Sequence, residues 1–108
     1  MVHEVSIATF AAARADGAYV IDVREPDEYE SGHVPGAQLI PLGHLEATLD
    51  SLSRTVPLYV ICASGNRSRS AARRLVDAGF DARSVAGGTS AWSNAGLPLV
   101  TGVRRDAA

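Results

Sequence analysis

The apolar positions of this chain change period several times, and those changes outline its elements. Ser6 is placed to cap a helix, with Ile7, Phe10 and Ala11 at helical spacing and Gly17 just beyond its end. Residues 19–23 are a short, β-branched run that reads as a buried strand ending in a charged loop. Pro26 at a first helical position, with Asp27 and Glu28 in the first turn and Gly32 as the stop, predicts a short helix. Residues 37–40 form a second short strand, after which Leu42, Leu45, Leu49 and Leu52 fall on one helical face.

Leu58–Ile61 is the most strand-like run in the chain and leads directly into Cys62. After Ser68, the positions Ala72, Leu75, Val76 and Gly79 recur at helical spacing while Arg69, Arg73 and Asp77 line the opposite face. A last strand over Ala82–Val85, a sharp turn at Gly87-Gly88 and a short helix over 89–94 ending near Gly96 complete the pattern. Residues 97–100 are expected to pack back on the body, leaving a domain over 1–103 and a frayed tail over 104–108. Strands alternating with helices predict one α/β domain with a small, mainly parallel sheet flanked by helices. In such sheets reactive groups sit where strand C-termini meet helix N-termini. Cys62 lies at such a junction.

Length adds that 108 residues are one domain with a real core. Composition mostly excludes. A single Cys forbids an internal disulfide, a redox C-x-x-C pair and any multi-thiolate metal site. All ten basic residues are Arg, so a Schiff-base Lys or a Walker-type nucleotide site is not available. His3, His33 and His44 are too scattered to suggest a metal. A net charge of −2 argues against nucleic acid as a partner. No run approaches the ~18 apolar residues that a membrane span needs. The lone thiol, with no visible export signal, points to the cytoplasm.

The segment Cys62-Ala63-Ser64-Gly65-Asn66-Arg67-Ser68 joins the best strand to a good amphipathic helix. Its small, turn-prone residues let the backbone curl, with Gly65 and Asn66 best able to take a positive φ. Such a curl at a helix N-terminus turns amides inward as an anion nest, and a thiolate at its rim is stabilised. Arg67 and Arg69 oppose the helix dipole there, a conflict that an anionic substrate would resolve.

These residues resemble the rhodanese-like (sulfurtransferase) family across nearly the whole chain. Asp22-Val23-Arg24, Glu28-Tyr29 and Gly32-His33-Val34-Pro35-Gly36-Ala37 are similar to its first signature. Cys62-x-x-Gly65-x-Arg67-Ser68 is similar to its catalytic loop, and Gly87-Gly88 with Trp92 to its final element. The resemblance implies a three-layer rhodanese-like fold and persulfide chemistry on Cys62. It implies a small anionic sulfur donor such as thiosulfate and a thiol or protein acceptor, with no metal or organic cofactor. The protein is then expected to be a monomer or weak dimer, with no nucleic-acid or membrane partner. Amides from Ala63 to Arg67 would cradle the persulfide, Arg67 would bind the donor's anionic end, and Arg69 would add field at the entrance. The loop arginine favours a small dianion over 3-mercaptopyruvate.

Asp22 reads as a structural carboxylate bonding loop backbone, with Arg24 as its companion; a direct role of Arg24 toward substrate is the alternative. His33 is expected in a structural hydrogen bond and Trp92 in the core. Ser68 either caps the helix or helps hold anionic sulfur. The acidic stretch 25–30 reads as a solvated helix face. Three rival functions remain, one of them a persulfide carrier or sulfide-handling partner that uses the same Cys62 chemistry with a protein donor or acceptor. A non-catalytic binding or regulatory module of the same fold would ordinarily lose the nucleophile, which this chain keeps. A Cys-based phosphatase or arsenate reductase needs a loop one residue longer than the four between Cys62 and Arg67.

Overall fold

The computed structural model describes residues 2–105, and its central strand is the run the sequence marks most strongly. Five strands, β1 (His3–Val5), β2 (Tyr19–Asp22), β3 (Gln38–Leu39), β4 (Leu58–Ile61) and β5 (Ala82–Val85), form one parallel sheet. Their order is β1-β5-β4-β2-β3. Side chains alternate across the sheet because successive Cβ atoms of a strand point to opposite faces. Leu58 and Val60 of β4 join Ile21, Ala71, Ala72 and Leu75 on one face, while Tyr59 and Ile61 join Val20, Phe10, Tyr29 and Trp92 on the other. The four helices are α1 (Ile7–Ala15), α2 (Pro26–Ser31), α3 (Asn66–Asp77) and α4 (Gly88–Asn94). Residues of α3 cover the first face and residues of α1, α2 and α4 the second, giving three layers.

Local rules account for most element ends. Ser6 caps α1, its Oγ accepting from the Thr9 amide at 3.1 Å. Pro26 opens α2, and Glu25 with Glu28 forms a capping box in which Glu28 Oε1 accepts from the Glu25 amide at 3.0 Å. Phe10 is fully buried, with Trp92 edge-on at 5.6 Å between ring centroids. Residues 97–100 do fold back: His33 and Val100 exchange backbone hydrogen bonds, each 2.9 Å, and Trp92 Nε1 donates to Pro98 O at 2.7 Å.

The structure departs from the sequence pattern in several places. β1 was not signalled by the pattern, since three residues with two exposed side chains carry almost no alternation. The single leucine-faced helix is two 3₁₀ segments, Leu42–His44 and Glu46–Ser51, of which only the flanking Leu45 and Leu52 are buried. Their spacings of three, four and three residues fit a tight helix as well as an α-helix, and Gly43 weakens the latter. Strand β3 shrinks to two residues. α3 begins at Asn66, and its buried face is Ser68, Ala71, Ala72 and Leu75, leaving Val76 43% exposed. Of the expected tail, residues 106–108 lie outside the described residues, while Arg105 O accepts from the Gly36 amide at 2.7 Å.

The topology places a crevice before any side chain is considered. The chain leaves β2 toward one face, through α2, and leaves β4 toward the other, through α3. Neighbouring strands whose connections diverge leave an opening at their carboxyl ends, where ligands of open α/β sheets bind. The two loops that meet there carry Asp22 to Glu25 and Cys62 to Gly65.

Candidate active site

Curling of the β4–α3 loop depends on two glycines far apart in sequence. Gly65 takes φ +111° and serves as the cap of α3. Gly88 takes φ +57°, and a Cβ there would stand 2.4 Å from Cys62 O and 2.8 Å from Ala63 O. Only glycine admits that approach. It lets the start of α4 capture the loop's carbonyls: Thr89 N donates to Cys62 O at 2.8 Å, Thr89 Oγ1 donates to it at 3.0 Å, and Ser90 N donates to Ala63 O at 3.0 Å. With those carbonyls drawn outward, the loop's amides are free to face the sulfur.

Cys62 is 1% exposed, and its Sγ accepts from the Gly65 amide at 3.0 Å. Ser68 Oγ lies 3.5 Å from Sγ and 2.8 Å from Ser84 Oγ on β5. Ser68 Oγ donates to Gly65 O at 3.1 Å. A hydroxyl carries one proton, so when Cys62 is ionised that proton can turn from Gly65 O to the sulfur while Ser68 accepts from Ser84. Burial pushes the Cys62 thiol up, but hydrogen bonds from Ser68 and from the amides of Ser68, Gly65 and Ser64 outweigh it, and the net pKa is lowered. The surroundings of the sulfur favour its ionised form.

The sequence-predicted residues divide clearly. Asp22 and Arg24 do pair. Arg24 Nε lies 3.0 Å from Asp22 Oδ1, its NH2 lies 2.9 Å from Oδ2, and its own amide donates to Oδ1 at 3.0 Å. Asp22 is therefore the loop-bonding carboxylate that was expected. Arg24 also lines a cleft of about 380 Å³ together with Glu28, Gly32, Ala63, Ser90 and Leu99. His33 is buried and structural, its Nδ1 2.9 Å from Tyr29 O and its ring stacked on Tyr29. Trp92 is in the core. Ser68 is not the cap of α3, because Gly65 occupies that position; its hydroxyl lies against the sulfur instead. Ser64 is exposed, and Asn66, also exposed, is the first residue of α3 with no positive φ.

The arginines bring the main revision. Arg67 forks onto Glu28 of α2, NH1 to Oε1 at 2.7 Å and NH2 to Oε2 at 2.8 Å. Arg69 is half exposed, its NH1 3.2 Å from Glu4 Oε2 and its NH2 bonded to Asn66 Oδ1. The conflict with the helix dipole is thus answered by carboxylates of this chain. Glu28 is no member of a merely solvated face, and Tyr29 beside it is buried. Its signal was present but indirect: two cations in a first helical turn that holds no acid need a partner from elsewhere. Ser84 carried a clearer one, a serine on a strand face otherwise lined by apolar residues.

A model of the rhodanese-like domain matches residues 6–95 of this chain. The chain belongs to the rhodanese-like family. Thiosulfate sulfurtransferase GlpE of Pseudomonas entomophila is 38% identical over 82 residues, which are 75% of each protein. A candidate sulfur carrier of Bacillus subtilis, YrkF, is 46% identical over 61 residues, 56% of this chain. The aligned part spans only 33% of YrkF, so that relative is much longer. Among solved structures, a rhodanese-related protein of Thermoplasma volcanium superposes with a TM-score of 0.86 at 31% identity, covering 94% of this chain and 99% of that one. This rhodanese-like domain has the five-stranded parallel sheet flanked by helices of those neighbours, with named sulfurtransferases among its relatives. Among its described residues no helix is long and apolar enough to cross a membrane.

Proposed function

We propose that the protein is a sulfurtransferase that moves sulfane sulfur through a persulfide on Cys62. The observation that carries this reading is the thiol of lowered pKa whose sulfur accepts the Gly65 amide at 3.0 Å beside the start of α3. In the first half-reaction the Cys62 thiolate attacks the outer sulfur of a donor such as thiosulfate. The Cys62–sulfur bond forms as the donor's S–S bond breaks, and sulfite leaves with the bonding pair. In the second, a thiophile (cyanide in the assay, a thiol or a protein acceptor in the cell) takes the terminal sulfur and returns the thiolate. One transfer is thereby split into two displacements, which is the advantage of covalent catalysis. Neither step needs a general base once the thiol is ionised.

The loop amides of residues 63–67 would receive the persulfide's charge, an oxyanion-hole role for dipoles already fixed by α4. Arg67 would face the donor's anionic end from the rim, and Arg24 would support the wall of the cleft. Intact mass before and after thiosulfate tests the reading. A gain of about 32 Da, reversed by cyanide and absent in Cys62→Ser, is expected for the covalent intermediate. A fully active Cys62→Ser protein would overturn it.

A further inference from the structure

Two arginines stand on the elements that border the crevice, and each meets a carboxylate: Arg24 with Asp22 and Arg67 with Glu28. Arg67 also feels the charges of Cys62 and Asp22, and Glu28 that of Arg24, so these five groups form one electrostatic cluster. Its two cations and two carboxylates cancel. Ionising Cys62 leaves the cluster negative, and the attraction for an anionic donor then comes from the loop amides. A doubly charged donor meets twice the repulsion of a singly charged one, since Coulomb energy scales with its charge.

Glu28 is not a loose surface side chain that happens to touch Arg67. The capping box fixes it, with Oε1 accepting from the Glu25 amide at 3.0 Å. It reaches the loop from another element, and it lines the cleft beside Ala63. We propose that Glu28 sets donor specificity by holding Arg67 in a bidentate pair, which disfavours dianionic donors relative to singly charged ones. This rests on the sulfurtransferase reading of Cys62 and makes Glu28 a positioning residue that acts through Arg67.

The test compares thiosulfate, a dianion, with benzenethiosulfonate, a monoanion, in steady-state transfer to cyanide. Both donors give their outer sulfur to the Cys62 thiolate. The first releases sulfite and the second the sulfinate, each with the electron pair of the broken S–S bond. Glu28→Gln keeps an acceptor oxygen for the Glu25 amide, so the α2 cap survives, but it presents an amide that cannot hold both guanidinium nitrogens. The expected result is a thiosulfate KM lower by roughly five-fold and a thiosulfonate KM lower by about two-fold, the pattern of a removed charge at a partly exposed site. Glu28→Ala should show the same ratio between donors. A structural role for Glu28 would move both donors equally or separate the two variants. Equal shifts, no shift, or a higher thiosulfate KM in Glu28→Gln overturns the proposal. Failure of the sulfurtransferase reading shows differently: the wild-type protein would gain no sulfur mass from either donor.

Discussion

Two Arg–carboxylate pairs flank the crevice, and they do opposite things with the same chemistry. Asp22 and Arg24 stand two residues apart on one loop, with side chains 0% and 7% exposed. Arg24 NH2 donates a further hydrogen bond to Gly32 O at 2.9 Å, and its amide donates to the same carboxylate. Among the described residues no fully buried side-chain nitrogen or oxygen lacks a partner, and that pair fixes the shape of the β2–α2 loop. Glu28 and Arg67 are 32% and 36% exposed and come from different elements. Solvent screens them, and Arg67 can turn away from the capped Glu28 without leaving a buried charge. Burial decides whether an ion pair is scaffold or adjustable part.

Breaking the buried pair should produce the largest effect. Asp22→Asn leaves Arg24 charged and half-partnered inside the protein, and a loss of about 3–5 kcal/mol is expected for an orphaned buried charge. Urea denaturation would measure it, and a loss below about 1 kcal/mol would erase the contrast. Glu28→Gln should cost less than about 1 kcal/mol, discounted for exposure, and that cost should shrink in high salt.

Acid sharpens the same point. The Arg67 guanidinium holds the Glu28 carboxyl at about 2, against burial and with help from the Glu25 amide. A pKa depressed on folding contributes stability that is complete above the ordinary value of 4.5 and fades as pH falls toward about 2. Wild type and Glu28→Gln should therefore converge in stability across that window. Arg69→Ala, which breaks the still more open pair with Glu4, should change stability by no more than about 0.5 kcal/mol. Thermal unfolding would show whether it does.

The sequence was most legible where one local rule governs. Strand β4, the Ser6 cap and the Pro26 start of α2 follow from short-range sterics and hydrogen bonding. The placement of Cys62 was also legible, because the most strand-like run in the chain leads straight into it and a helix follows. Contacts across distance were harder to read. Glu28 and Arg67 are separated by 39 positions. Nothing in either neighbourhood says that α2 and α3 bring them together. The tight approach of Gly88 to the Cys62 peptide belongs to the same kind, since a Gly-Gly pair announces a turn but not what presses against it. The leucines of residues 42–52 failed for another reason: their spacing suits two helix types, and spacing alone does not choose between them.

The carbonyl capture by α4 ties the setting of the sulfur to a lever 27 residues further along the chain. The peptide planes of Cys62 and Ala63 are held by amides of Thr89 and Ser90. A small rotation of that helix would turn the same planes and swing their N–H groups off target. Whatever leans on the exposed side of the short helix therefore has a mechanical route to the Cys62 sulfur that bypasses the cleft.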